Sequence, residues 1–139
     1  MPATLLALLV LFAPPGPARG CLILVNDANP VYTATVEQVA DLFLGRRADW
    51  RAGHPVMPVD QSPDAPVREE FSLAVLGRPL QAVQAYWRRK LYTGEAVPPP
   101  ELTSDQAVVE YIRAHPDAIG YVSPDVPLSP GVHAVAVTR

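Results

Sequence analysis

Residues 58–71 read PVDQSPDAPVREEF: a short apolar stretch, a polar turn with two prolines, and a run of helix-forming residues. A strand that passes through a turn into a helix is a building unit of α/β domains, and the free backbone N–H groups at such a helix start can hold an anion. The turn itself contains no Gly, and its nearest basic residue, Arg68, falls inside the helix. The stretch therefore has the scaffold of an anion loop with few of the side chains that would bind one.

On either side the same alternation continues. Cys21–Asn26 (CLILVN) is a continuous apolar run, which suits a buried strand. Thr35 and Gln38 form a capping box, Val36, Val39, Ala40 and Phe43 recur at helical spacing, and Gly45 stops the helix. Val56–Val59 is a short strand, and Pro66–Leu76 a helix that Gly77 ends. Pro79–Tyr92 is a helix with Leu80, Val83, Trp87 and Leu91 on one face. Gly94–Leu102 (GEAVPPPEL) is a proline-stiffened loop, and Thr103–Gln106 is a second capping box, opening a helix that His115-Pro116 closes. Ala118–Val122 (AIGYV) and His133–Val137 (HAVAV) are the last strands. This order predicts an α/β domain, a mostly parallel sheet flanked by helices, with Phe43, Phe71, Trp87 and Ile119 in one core.

The N-terminus carries a different signal. Leu5–Ala13 (LLALLVLFA) is an apolar run too short to span a bilayer, for which ~20 residues are needed. With PPGPARG behind it and small residues at Ala18 and Gly20, it fits a secretory signal over residues 1–20. The expected mature unit is a single domain, 21–139, in the periplasm. Arg19 makes lipid attachment to Cys21 the poorer reading. Cys21 is the only cysteine, which rules out an intramolecular disulfide or a cysteine-cluster metal site.

The chain has a formal net charge of −3, and losing Arg19 with the leader makes it more negative. Such a balance offers no footprint for nucleic acid. Two basic-aromatic clusters, Arg46-Arg47 with Trp50 and Arg51, and Trp87-Arg88-Arg89-Lys90, are read as solvated helix faces over core tryptophans. His54, His115 and His133 stand at no metal-ligand spacing, no HExxH or GxSxG occurs, and Glu69-Glu70 point apart on their helix. No catalytic pattern emerges, so the expectation is a non-enzyme without cofactor or metal.

Four segments taken together resemble one family. ADLFLGRRADWRAG, PVDQSPDAPVREEF, AYWRRKLYTGEAVPP and AHPDAIGYV occur in the order found in phosphate-type substrate-binding proteins of ABC transporters. The resemblance runs from about Ile23 to Val137, so the chain is similar to a short, single-lobe member, one lobe of a type 2 periplasmic binding protein. In full-length members this segment forms the second lobe, and phosphate lies between two lobes. Their loop reads Arg-Ser-Asp-Gly-Ser-Gly-Thr, whose Arg, second Ser, Gly and Thr hold the anion. Aligned on Phe71, the resemblance puts Gln61 on the Arg, Ser62 on the first Ser, and Ala65, Pro66 and Val67 on the Ser-Gly-Thr.

The resemblance thus implies a solute-binding-protein-like domain with a degenerate anion loop, composed of Gln61, Ser62, Asp64, Ala65, Val67 and Arg68. Its implied partners are phosphate or another small anion held weakly, and a membrane transporter, a sensor or a second copy that completes the site. The alternative is an interaction or sensory module that kept the fold and lost the ligand. Arg68 itself has two readings, an ion pair with nearby Asp64, Glu69 or Glu70, or an anion contact.

Overall fold

The computed structural model describes residues 20–50 and 53–139. The segment 1–20 read as a signal therefore lies, apart from Gly20, outside the described residues. The elements in chain order are β1 (Leu22–Asn26), β2 (Thr33–Thr35), α1 (Val36–Phe43), β3 (Met57–Pro58), β4 (Asp60–Gln61), α2 (Pro66–Ala74), α3 (Leu80–Tyr92), β5 (Glu101–Leu102), α4 (Asp105–Ala114), β6 (Ala118–Val122) and β7 (Val132–Thr138). Five strands form one sheet in the order β2-β7-β1-β6-β3, and β4 pairs with β5 separately.

The α/β class expected from the sequence is what folds. Three of the five pairings among the described residues are parallel (β2 with β7, β3 with β6, β4 with β5), but the two longest are antiparallel. β1 lies at the centre, antiparallel to both β6 and β7. The strand expected over Val56–Val59 is shorter than predicted, because the chain changes partner there. Val59 N–H donates to Ile119 O at 2.9 Å in the sheet, and Asp60 N–H donates to Pro100 O at 2.8 Å. The expected loop 94–102 accordingly ends in strand β5 at Glu101–Leu102.

Side chains alternate across the sheet with period two. Ile23, Val25, Ile119 and Tyr121 face α1 and α2, where they meet Val39, Phe43, Val67 and Phe71. Leu24, Ala118 and Val122 face α4, packing with Val108, Val109 and Ile112. Between them Gly120 has no room for a side chain, since an added Cβ would fall 2.8 Å from Val108 Cγ1. α4 therefore lies directly on β6.

Two expectations change. Trp87 is buried, but with Leu44, Val83 and Tyr86 in a cluster of its own, not with Phe43, Phe71 and Ile119 under the sheet. Val83, Tyr86 and Trp87 of α3 pack on Leu44, just past α1, and Leu76, just past α2, instead of on a strand face, and Leu91 of the expected stripe is exposed. At α4 the cap is Ser104 and not Thr103: Ser104 Oγ accepts from Ala107 N–H at 3.0 Å, and Gln106 turns outward to Glu110. The shift by one residue places Asp105 in the first turn, where its carboxylate reaches Gln61 and Ser123. At α1 both capping-box bonds of Thr35 and Gln38 form.

Candidate functional site

The candidate site grows from β4 and the turn that follows it. Asp60 and Gln61 end the extended stretch, Ser62–Ala65 turn, with Ala65 N–H donating to Ser62 O at 2.9 Å, and Pro66 opens α2. Pro suits that first helical position because no N–H is needed there. Ala65 occupies the N-cap and offers no side-chain acceptor. Arg68, at the third helical position, bends its guanidinium back beneath the turn.

There it meets a buried polar network. Arg68 Nε lies 3.2 Å from Asp60 Oδ1, and its Nη1 lies 3.2 Å from Glu101 Oε2 and donates to Gln61 O at 2.8 Å. Asp60 Oδ1 also accepts from Gln61 N–H at 3.0 Å and from the Tyr121 hydroxyl. Gln61 Nε2 donates to Asp105 Oδ1 at 2.8 Å and to Tyr121 O at 2.9 Å, using both amide protons. Asp60 and Arg68 are each 5% exposed and Gln61 1%. The network joins β4, β5, α2, α4 and β6 at one point.

The sequence-derived loop residues thus divide. Gln61 and Arg68 are engaged inward, and Val67 is buried in the core beside Phe71. Ser62 is half-buried, and its Oγ accepts from Asp64 N–H at 3.4 Å. Asp64 is exposed and Ala65 half-buried, so only Ser62, Asp64 and Ala65 sit on the outer side of the turn. Arg68 does form an ion pair, but with Asp60 and Glu101 and with none of the carboxylates expected from nearness in sequence. Asp60, Glu101, Asp105 and Tyr121 were not singled out by the sequence. The available signal was a Tyr in an apolar strand and an acid on a strand end, each needing a polar partner once buried.

Burial sets the electrostatics. It raises the Asp60 carboxyl above its ordinary value; Arg68 and hydrogen bonds from Tyr121 and Gln61 oppose that, and Glu101 adds to it. Tyr121 is likewise raised, first by burial and then by Asp60, and stays a phenol. A carboxyl whose folded pKa exceeds its unfolded value of ~3.9 holds a proton that the unfolded chain releases. Its contribution is full below that value and is lost as pH rises through the folded pKa. The stability advantage of the wild type over Asp60→Asn should therefore shrink as pH is raised from ~4 in urea melts. A pH-independent difference would show that Asp60 titrates alike in both states.

No family model matches the chain, and no curated protein matches it. Solved structures do. An ABC-type phosphate transport receptor from Vibrio cholerae superposes with a TM-score of 0.64 at 20% identity, over 85% of this chain and 46% of that one. A putative phosphate ABC transporter substrate-binding protein with bound phosphate, from Clostridium perfringens, gives 0.63 at 22% identity, over 85% and 44%. A possible phosphate binding protein from Planctomyces limnophilus gives 0.64 at 15%, over 86% and 42%. The resemblance read from the sequence holds at the level of fold. The chain spans less than half the length of each of these proteins.

Proposed function

We propose that this chain is an exported, non-enzymatic, solute-binding-protein-like lobe whose own anion loop is degenerate, so that alone it holds phosphate or a similar small anion only weakly. The reading rests on one observation above the others. The two loop residues with the most polar side chains to offer, Gln61 and Arg68, are turned onto internal partners, Gln61 Nε2 with both protons and Arg68 through Nε and Nη1, in a fold shared with phosphate-binding proteins. What is left at the turn is a helix N-terminus, worth ~0.3–1 kcal/mol toward an exposed anion. A single lobe also leaves a ligand half in water, whereas good small-molecule sites bury about 70–90% of it. A membrane transporter, or a second lobe from another chain, would complete the site.

Calorimetric titration of the purified protein with phosphate and sulfate is expected to give millimolar or weaker binding, a free energy of about −4 kcal/mol at most. Micromolar binding by the chain alone would overturn the degenerate-loop reading. Export is supported by the LLALLVLFA run and the small residues before Cys21. Protein recovered from the periplasm should therefore have a mass that begins near Cys21, and an intact Met1 there would refute it.

A further inference from the structure

The basic cluster of α3, read from sequence as a solvated face, lines an open trough of about 960 Å³ along α3. Four cations border it, Arg78, Arg88, Arg89 and Lys90, against one carboxylate, Glu95. That carboxylate is already held, by Lys90 Nζ at 3.2 Å and by the Thr93 hydroxyl at 3.1 Å. No carboxylate among the described residues lies within 4 Å of Arg78, Arg88 or Arg89. Neither residues 1–19 nor Arg51-Ala52 contain an Asp or Glu, so no part of this chain outside the described residues can supply the countercharge.

The trough also has a built floor. Tyr86 is 9% exposed, and its hydroxyl donates to Leu44 O at 2.6 Å, which fixes the ring. The Arg78 guanidinium stands 5.6 Å and the Lys90 ammonium 5.4 Å from the centre of that ring, within cation–π range. Ala82 and Ala85 keep the bottom shallow and apolar. At its end, Tyr92 is 93% exposed, a large aromatic with nothing covering it.

We propose that this trough docks an acidic segment of a partner protein, one that alternates carboxylates with apolar side chains. The charge decides the sign: a cationic patch on a chain of net charge −3 attracts anionic partners locally while the rest of the surface repels them. The floor decides the class. A phosphate chain could meet the cations but would leave Ala82, Ala85 and Tyr92 without apolar contact, which a polypeptide supplies. The trough is also far larger than one small anion needs.

The test measures fluorescence anisotropy of a labelled synthetic Glu–Leu repeat peptide on the full-length protein, beside Glu-only and Lys–Leu peptides of equal length. The Glu–Leu peptide should bind more tightly than either, and its affinity should drop steeply at about 1 M salt, where the screening length is ~3 Å. Arg78→Gln/Arg88→Gln/Arg89→Gln should weaken it roughly ten- to a hundredfold. Ala82→Glu, an exposed helix position, should do so independently, and it carries the test should the triple variant not fold. Undiminished binding by either folded variant overturns the proposal. So does equal binding of the Glu-only peptide, or tighter binding of tripolyphosphate in competition, since either makes the apolar floor irrelevant. Sedimentation showing a dimer that the triple variant abolishes would assign the trough to a second copy and overturn it too.

Discussion

Replacing Arg68 with methionine should lower stability by ~3–5 kcal/mol near neutral pH, the usual cost of stranding one partner of a buried ion pair. Asp60 would keep its burial and lose its cation, and the Gln61 carbonyl would lose a donor. Little of the effect comes from Glu101, whose side chain is 46% exposed and already solvated. The loss should depend on pH. Asp60 is already raised above its ordinary value, and without Arg68 it rises further, so a neutral carboxyl removes much of the cost in acid. Urea melts of the wild type and variant should therefore differ more at neutral pH than near pH 4. A difference below about 1 kcal/mol at neutral pH would mean that Arg68 is not part of the fold's support.

Phe71→Ala should cost a similar ~3–5 kcal/mol, for a different reason. Phe71 is 1% exposed and stacks on Tyr121 with ring centres 3.9 Å apart and planes 5° from parallel. Phe43 meets it edge-on at 4.7 Å. Truncation opens a cavity and also frees the Tyr121 ring whose hydroxyl serves Asp60. The two substitutions should consequently not add. In a double-mutant cycle Phe71→Ala and Arg68→Met should couple by about 0.5–3 kcal/mol, because both act through Tyr121 and Asp60. Strict additivity would show that the apolar core and the polar network stabilise the fold separately.

The reading of the sequence reached most of this architecture because the long elements announce themselves. Continuous apolar runs mark β1 and β6, and helical spacing with a cap marks α1. The two-residue strands β4 and β5 carry no period to detect, and Asp60 faces Glu101 across some forty intervening residues. That distance hid the network. Tyr121 stands in the apolar run AIGYV, but its hydroxyl's partner lies on another element. Trp87 was legible as buried from its place on the helical stripe of 79–92, and periodicity cannot say which of several cores a stripe joins. At the loop, the family resemblance flagged the missing ligands, while the inward turn of Gln61 and Arg68 needed the fold to appear.

The placement of β1 at the sheet centre has a consequence in time. Leu24 pairs with Gly120 on one side and Ala134 on the other, so the first strand of the domain waits for its last two. Nothing nearer in the chain can close the sheet's middle. Contacts of that sequence separation pay loop-closure entropy before they return any stabilisation, which slows folding. A chain emerging from its N-terminus holds β1 unpaired until β6 is free. Closure of the sheet's middle is thus governed by the arrival of β6 and β7.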